Sequence, residues 1–453
     1  MDQLDSVFKA YDIRAVVPDV LNAELARKVG AAFAGFAGAA RIVVGNDMRR
    51  SGPELVAAFA DGVTAAGVDV VLLGLVSTDE LYYASGVLDS PGAMFTASHN
   101  PARYNGIKLC LAGAKPVGVD TGLAEIRAAI ETGNLVVVPQ AERGTLSHRD
   151  VLAGYVAKVR SFVDLSVLAP LKVVADTANG MGGLVVPAVL EGLPFQLEML
   201  YPELDGDFPN HPADPIQAAN LRDLQAKVLE TGADVGLAFD GDADRCFLVD
   251  DQAQLVSGST TTALVAKAML AKYPGSTVLY NLICSKAVPE VVRENGGSPV
   301  VTRVGHSFIK AVMAETGAVF GGEHSGHYYF RDNYRADSGS IAALVVLEVM
   351  SRAGVPLSVL RKPFDRYAQS GEINTEVQDP AGAVKYISER FAMEHPDAVQ
   401  THMDGVTVDF GGWWFNVRPS NTEPLVRLNV EAPDLQSCEQ HTAQVLEMIK
   451  ELA

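Results

Sequence analysis

The chain has no excess of positive charge, few cysteines and no long apolar run. Its 36 Lys and Arg stand against 55 Asp and Glu, a formal net charge of −19. Sequence-independent nucleic-acid binding needs clustered basic residues, so the balance argues against it. The four cysteines, Cys110, Cys246, Cys284 and Cys438, are far apart and form no CxxC pair. That argues against a zinc site and for buried thiols in a reducing compartment. No apolar run reaches the roughly 18 residues that a membrane span requires. The opening MDQLDSVFKAYD is acidic and polar, unlike a signal peptide. A cytoplasmic protein with neither nucleic-acid nor membrane partners is expected, and a monomer.

What is present is a folded chain of some size. Apolar residues make up 48% of its 453 positions and charged residues 20%, at roughly 150 residues per domain about three domains' worth. Strand-like runs alternate with Ala/Leu/Glu-rich stretches, the pattern of α/β layers. A weak triplication is visible. Ile42-Val43-Val44, Lys172-Val173-Val174 and Thr277 to Tyr280 each read as a strand leading into a polar turn. Second strands are expected at Val70 to Leu73, Leu197 to Tyr201 and Val300 to Val304. Third apolar segments follow at Ala93 to Phe95, Val235 to Phe239 and Ala318 to Phe320. The tail differs: Glu372 to Val377, a helix over Ala381 to Met393, strands at Gly405 to Phe410 with Trp413 to Val417 and at Leu425 to Glu431, and a last helix over Leu435 to Leu452. Boundaries near Ser147, Asp251 and Tyr367 divide the chain into residues 1–147, 148–251, 252–366 and 367–453.

Each third segment runs into a different polar loop, and ligands in open α/β sheets bind just beyond strand carboxyl ends. Three similar α/β units whose loops meet at one cleft, plus a smaller α+β unit, are therefore expected. Asp240, Asp242 and Asp244 stand at i, i+2 and i+4. Three carboxylates so close repel unless a cation lies between them, and three leave magnesium open positions for water or phosphate. An EF-hand reading fails, because Arg245 stands where the sixth-position glycine is required. Thr96 to Pro101 sets Ser98 beside His99, but no G-x-S-x-G occurs, so a hydrolase elbow is unsupported. Arg418 to Thr422 sets a guanidinium beside hydroxyls and an amide, donors suited to phosphate. Glu323, Ser325 and His327 alternate, and an extended backbone would put them on one face, towards sugar hydroxyls. Gly180 to Gly183 lacks the spacing of a dinucleotide loop. Arg14, Lys108 and Arg245 supply local positive charge.

Together, KAYDIR, TASHNP, DGDADR, GEHSGH and RPSNTEP resemble the α-D-phosphohexomutase family, in this order and over essentially the whole chain. The resemblance implies three topologically similar α/β domains with mixed sheets and a smaller C-terminal α+β domain around a central cleft. It implies reversible conversion of hexose 6-phosphate and hexose 1-phosphate, mannose and/or glucose. Ser98 would carry a phosphoryl group, and Asp240, Asp242 and Asp244 would bind Mg²⁺ with the phosphoserine oxygen. Glu323 would contact sugar hydroxyls with Ser325, His327 and Tyr11 nearby. Arg418, Ser420, Asn421 and Thr422 would hold the non-reacting phosphate. Arg14, Lys108, Arg245, His99 and His306 are candidates for charge stabilisation, loop orientation or proton transfer, and glucose 1,6-bisphosphate would be the activator.

Four departures from the family pattern stand out. Ala15 and Ala243 replace glycines, which matters if the backbone there needs a positive φ. His324 stands where Met or Gln marks the sugar subfamilies. A family lysine has no match at Ile283, with Lys286 three residues later. Two rivals remain: a magnesium phosphohydrolase using the same loops, and a non-catalytic sugar-phosphate binder indifferent to loss of Ser98.

Overall fold

The computed structural model describes Leu4, residues 7–420 and residues 425–452, apart from the side chain of His306. Among the described residues the strands form four sheets. In the first, parallel strands Asp69–Leu75, Arg41–Asn46 and Gly92–Phe95 lie side by side, followed by antiparallel Tyr104–Leu111. The second repeats that order with Gln196–Leu200, Lys172–Asp176, Val235–Phe239 and antiparallel Cys246–Asp250. The third repeats it again with Ser298–Thr302, Thr277–Asn281, Phe320–Gly322 and antiparallel Tyr328–Phe330. The triplication is therefore one four-strand pattern built three times.

The returning fourth strands were absent from the sequence reading. Cys246–Asp250 and Tyr328–Phe330 are buried at every position, so they show none of the two-residue alternation that marks a half-exposed strand. They decide where the chemistry sits, because each polar loop is the hairpin between the third strand and the fourth.

Two sheets cross the expected boundaries. Leu146–His148 joins the first sheet beside Asp69–Leu75, so residue 147 lies inside a strand. Leu255–Val256 pairs with Cys246–Asp250, carrying the second sheet past Asp251. The tail is an antiparallel sheet in the order Ala368–Gln369, Leu425–Ala432, Trp414–Pro419, Val406–Asp409, Val399–Thr401, with Ile373–Glu376 also on the Leu425–Ala432 strand. Helices Pro380–Glu394 and Leu435–Lys450 pack against it.

The helices begin where short polar side chains accept the first free N–H groups. Asn22, Ser77, Ser257, Ser338, Asp379 and Asp434 each cap one. Helices Gly258–Lys272 and Gly339–Ala353 are buried on nearly all sides, because one apolar core runs unbroken through the second and third units. The first and fourth units have cores of their own.

Polar contacts tie the fourth unit to the third. Lys286 Nζ donates to Asp409 Oδ1 at 2.7 Å, and buried Glu431 accepts from the Lys286 N–H and from Trp414 Nε1. Lys286 thus serves this junction, and Ile283 is buried.

Candidate active site

Ser98 follows the Gly92–Phe95 strand in a left-handed backbone conformation, φ +49°. The turn is held from two sides. Thr96 Oγ1 accepts from the Ser98 N–H at 2.9 Å. Arg49, its guanidinium fully buried, donates to the carbonyls of Ser98 (2.8 Å), Asn100 (2.7 Å), Pro101 (3.0 Å) and Tyr104 (2.9 Å), with Asp47 as its counter-ion. Sequence reasoning missed Arg49. Its one signal was position, two residues past Asp47 at the carboxyl end of a central strand.

The carboxylate loop comes from the second unit and meets the serine loop closely. A Cβ on Gly241 would stand 2.5 Å from the Ser98 carbonyl oxygen, so only glycine fits there. Ser98 Oγ donates to Asp240 Oδ2 at 2.8 Å and accepts from Arg245 Nη2 at 3.2 Å. Arg245 Nε also donates to Asp240 Oδ2 at 2.8 Å. Lys108, on the first unit's fourth strand, bridges Asp242 Oδ2 and Asp244 Oδ2 at 2.7 Å each. Thr78, at the start of the capped helix Thr78–Val87, donates its hydroxyl to Asp242.

All three aspartates are buried, and their ligand atoms lie within 4.8 Å of one another. Oδ1 of Asp242 and Oδ1 of Asp244 are buried with no hydrogen-bond partner among the described residues. Orphaned buried acceptors are costly unless something positive fills the gap between them, and all the donors are hard oxygens. The residues present therefore fit a small divalent cation. Burial pushes Asp240 up to about 7, whereas at Asp242 the burial effect is outweighed by Lys108, which holds the carboxylate well below its ordinary value.

Ala243 has φ +60°, so the loop does take the left-handed turn that glycine favours, and this chain makes it with alanine. Ala15 lies in the Ile13–Val16 strand, paired with Asn105, where no glycine is needed. His99 Nδ1 lies within hydrogen-bond reach of Ser98 Oγ, at 3.3 Å, and of Arg245 Nη2. Burial, then Arg245 and Arg14, hold its imidazole well below its ordinary value, which favours the neutral ring. Arg14 donates to Asn100 Oδ1 at 2.6 Å and to Asp12, reaching the same loop from the first sheet's edge.

The third unit's loop departs from the extended segment expected for Glu323 to His327. It is a tight turn. Gly326 takes φ +84°, and the Glu323 N–H donates to the His327 carbonyl at 3.0 Å. Glu323 and His327 therefore flank the hairpin, with Ser325 half-buried at its tip. Glu323 is buried, accepting from Asn281 Nδ2 (3.2 Å), the Gly305 N–H (3.0 Å) and Tyr329 Oη (2.7 Å). His327 Nδ1 is 2.9 Å from Asp337 Oδ2 and 3.7 Å from Asp244 Oδ1. Burial opposes its charge, but Asp244 and Asp337 prevail and raise its pKa. Asp337, in turn ion-paired with Lys310 at 2.9 Å, was also missed in the sequence.

Tyr11 Oη donates to the Val304 carbonyl at 3.1 Å, bridging the first and third units. Burial, then Asp404 and Glu323, push its pKa up. Arg418, nearly buried at the end of Trp414–Pro419, donates to Glu372 Oε2 at 2.5 Å. Ser420 lies beside Arg427, with Nη2 to Oγ 3.4 Å. Asn421, Thr422 and the side chain of His306 lie outside the described residues. The structure thus brings together Ser98, His99, Arg14, Lys108, Arg245 and the aspartates at the meeting of units one and two, with His327 adjoining from unit three.

Comparison with known proteins follows the same four units. Family models described as phosphoglucomutase/phosphomannomutase alpha/beta/alpha domains I, II and III and C-terminal domain match residues 5–136, 153–254, 257–367 and 372–448. The chain is 42% identical over 427 residues to "Phosphohexose mutases" of Xanthomonas campestris, covering 94% of each protein. It is 38% identical to a phosphomannomutase of Escherichia coli, covering 98% of this chain and 99% of that one. A crystal structure of a phosphoglucomutase/phosphomannomutase family protein from Burkholderia thailandensis, 32% identical, superposes with a TM-score of 0.89, covering 100% of this chain and 98% of that one.

Proposed function

Because the chain belongs to the phosphoglucomutase/phosphomannomutase family and is a hexose-phosphate mutase, we propose that it interconverts the 1- and 6-phosphates of mannose and glucose by a relay through Ser98. Phospho-Ser98 donates its group to the free hydroxyl of a bound sugar monophosphate. The resulting 1,6-bisphosphate turns round, and its other phosphate returns to Ser98. The observation that carries this reading is the Ser98 hydroxyl seated on Asp240 and Arg245, beside two aspartates with orphaned oxygens.

Asp240, Asp242 and Asp244 would hold Mg²⁺, which supplies charge neutralisation to a transferring phosphoryl group. The chain's own residues position and neutralise, which is most of the work in phosphoryl transfer. Arg245 reaches Ser98 Oγ, and Lys108 offsets two aspartates. His327, held through Nδ1 by Asp337, turns its other ring nitrogen away from that anchor and is placed to exchange a proton with a sugar hydroxyl. Arg418 and Ser420 hold the distal phosphate, and Glu323 takes sugar hydroxyls on its remaining lone pairs. Glucose 1,6-bisphosphate primes Ser98.

A coupled assay with mannose 1-phosphate and glucose 1-phosphate, Mg²⁺ and a trace of glucose 1,6-bisphosphate tests the proposal. Interconversion with little free phosphate is expected. Steady release of inorganic phosphate would favour a phosphohydrolase, and inertness of phosphorylated protein towards both sugars would end the mutase reading.

A further inference from the structure

Residues 201–217 of the second unit form neither strand nor helix, and they lean on Arg49 of the first. A Cβ on Gly206 would stand 2.7 Å from Arg49 Cα and 2.9 Å from the Met48 carbonyl oxygen, so glycine lets the two backbones touch. The Phe208 ring faces the Arg49 guanidinium, its centre 5.2 Å from Cζ. Asp207 pairs with Arg50 beside it. Arg49 is the side chain that gathers the carbonyls of Ser98, Asn100, Pro101 and Tyr104. The second unit therefore backs the residue that holds the serine loop.

That segment is itself anchored through His211. Nε2 lies 3.0 Å from Asp176 Oδ2 and 3.2 Å from Oδ1, and Nδ1 lies 2.9 Å from the Pro212 carbonyl oxygen. A carboxylate and a carbonyl can only accept. A neutral imidazole has one N–H to give and would turn a lone pair on the other acceptor, so only the charged ring satisfies both contacts. The charged groups that face it are Asp176, buried at the end of the Lys172–Asp176 strand, and Asp223 of the helix Arg222–Thr231. Asp223 accepts from Tyr201 Oη at 2.7 Å, and the Tyr201 ring stands edge-on to the imidazole. Burial opposes the charge, but Asp176 prevails and raises the pKa of His211. The segment's other ties run to neutral Asn179, from Asn210 Nδ2 at 2.9 Å and to the Glu203 carbonyl at 3.0 Å, and do not change with pH.

We propose that His211 is a positioning residue for Ser98: with both ring nitrogens protonated it fastens residues 203–214 to Asp176, and through Gly206 and Phe208 that segment seats Arg49 under the serine loop. Its bearing on catalysis rests on reading Ser98 as the phosphoryl carrier. The anchor is complete below the ordinary histidine value near 6.5, and is lost as pH rises through the raised value of the folded state. The serine loop is then held tightly in acid and loosened in alkali.

Hydrogen–deuterium exchange of the full chain, normalised to intrinsic amide rates, tests this with wild type, His211→Gln and Phe208→Leu. Glutamine, like the neutral ring, can donate to Asp176 but not also to Pro212. Residues 98–104 should exchange about tenfold faster in His211→Gln than in wild type at about pH 6, the size of one charge-assisted bond, and at nearly the same rate at about pH 9. The ratio of wild-type to His211→Gln kcat for glucose 1-phosphate should close over the same interval, with KM little changed. Taking the ratio cancels the titration of the substrate and of groups common to both proteins. Phe208→Leu leaves the His211 bonds in place and should loosen residues 98–104 at both pH values, so it decides the link through Arg49 even where His211→Gln folds poorly. Equal protection of residues 98–104 in wild type and a folded His211→Gln protein would overturn the proposal. So would a difference that does not narrow with pH, or a Phe208→Leu loop as protected as wild type. Protection is read without turnover: a wild type that does not isomerise sugar phosphates would sink the mutase relay and leave this test standing.

Discussion

The Ser98 hydroxyl donates to Asp240 Oδ2 at 2.8 Å, joining the loop of the first unit to the carboxylate loop of the second. The bond places the Ser98 oxygen against three aspartates offset by Lys108 and Arg245. With every carboxylate ionised, three negative and two positive charges leave −1, and burial works against that charge at Asp240. A phosphoryl group adds about −1.5 to −2. On the proposed relay a divalent cation would return the sum close to its starting value, so phosphorylation of Ser98 and metal binding would be coupled by charge.

Chelation should accordingly lower the melting temperature of phosphorylated protein more than that of unphosphorylated protein. Differential scanning fluorimetry of the two forms, with and without EDTA, measures it; equal shifts would contradict the coupling. Replacing Ser98 with Ala should remove the phosphoryl acceptor and cut turnover by at least about 10³-fold. Intact-mass spectrometry after incubation with glucose 1,6-bisphosphate should find the variant unmodified.

Arg49 offers a second prediction. Lysine keeps the charge at that site but has no planar fork to reach four carbonyls at once. Arg49→Lys should cost about 1.5–3 kcal/mol, as bonds to buried acceptors are lost. Denaturant titration gives that figure. Amide exchange should speed up over residues 98–104, and kcat should fall while KM for the sugar phosphate changes little. A variant whose serine loop exchanges as slowly as wild type would show that Arg49 does not hold it.

Much of this was legible in the sequence because it is written locally. The three repeats carry short strands followed by polar loops, and DGDADR puts its carboxylates on one turn whatever surrounds it. The legible part ended where partners come from far along the chain. Arg49 means nothing until Ser98, Asn100, Pro101 and Tyr104 curl around it. Glu372 and Arg427 lie 55 residues apart and meet only through strand pairing. The alternation of Glu323, Ser325 and His327 misled for a related reason: Gly326 at φ +84° turns the segment into a hairpin, and spacing alone does not separate strand from turn.

Ala243 allows a third prediction. A left-handed turn costs an L-residue about 1–2 kcal/mol. Glycine would recover that, but it gives back about 0.4–1 kcal/mol in unfolded-chain entropy and loses a buried methyl worth about 0.8. The terms nearly cancel, which is why alanine is tolerated where glycine is usual. Ala243→Gly should therefore shift stability by less than about 1 kcal/mol. Ala243→Val puts a β-branched residue at positive φ in a fully buried site, and should cost more than about 2 kcal/mol. Urea unfolding of both variants tests the pair. A large gain from glycine would mean that the strain is greater than the cancellation allows.

The last prediction concerns Asp79, where three units meet. Its carboxylate is fully buried and accepts from Ser77 of the first unit, Tyr155 of the second and Ser338 of the third. Burial pushes its pKa up to about 7 despite those donors, and does the same to neighbouring Glu80. In the unfolded chain both titrate near 4. Between about pH 4 and 7 the native state therefore holds protons that the unfolded state has released. By linkage, their contribution to stability is full below about pH 4, falls as pH rises to about 7, and is flat above. Asp79→Asn removes one of the two titrations. Its stability should decline less steeply than that of wild type between pH 5 and 7, at the cost of a weaker junction at every pH, because an amide offers one acceptor oxygen to three hydroxyls. Guanidinium unfolding at half-unit pH intervals compares the slopes. A variant as steep as wild type would place the proton elsewhere.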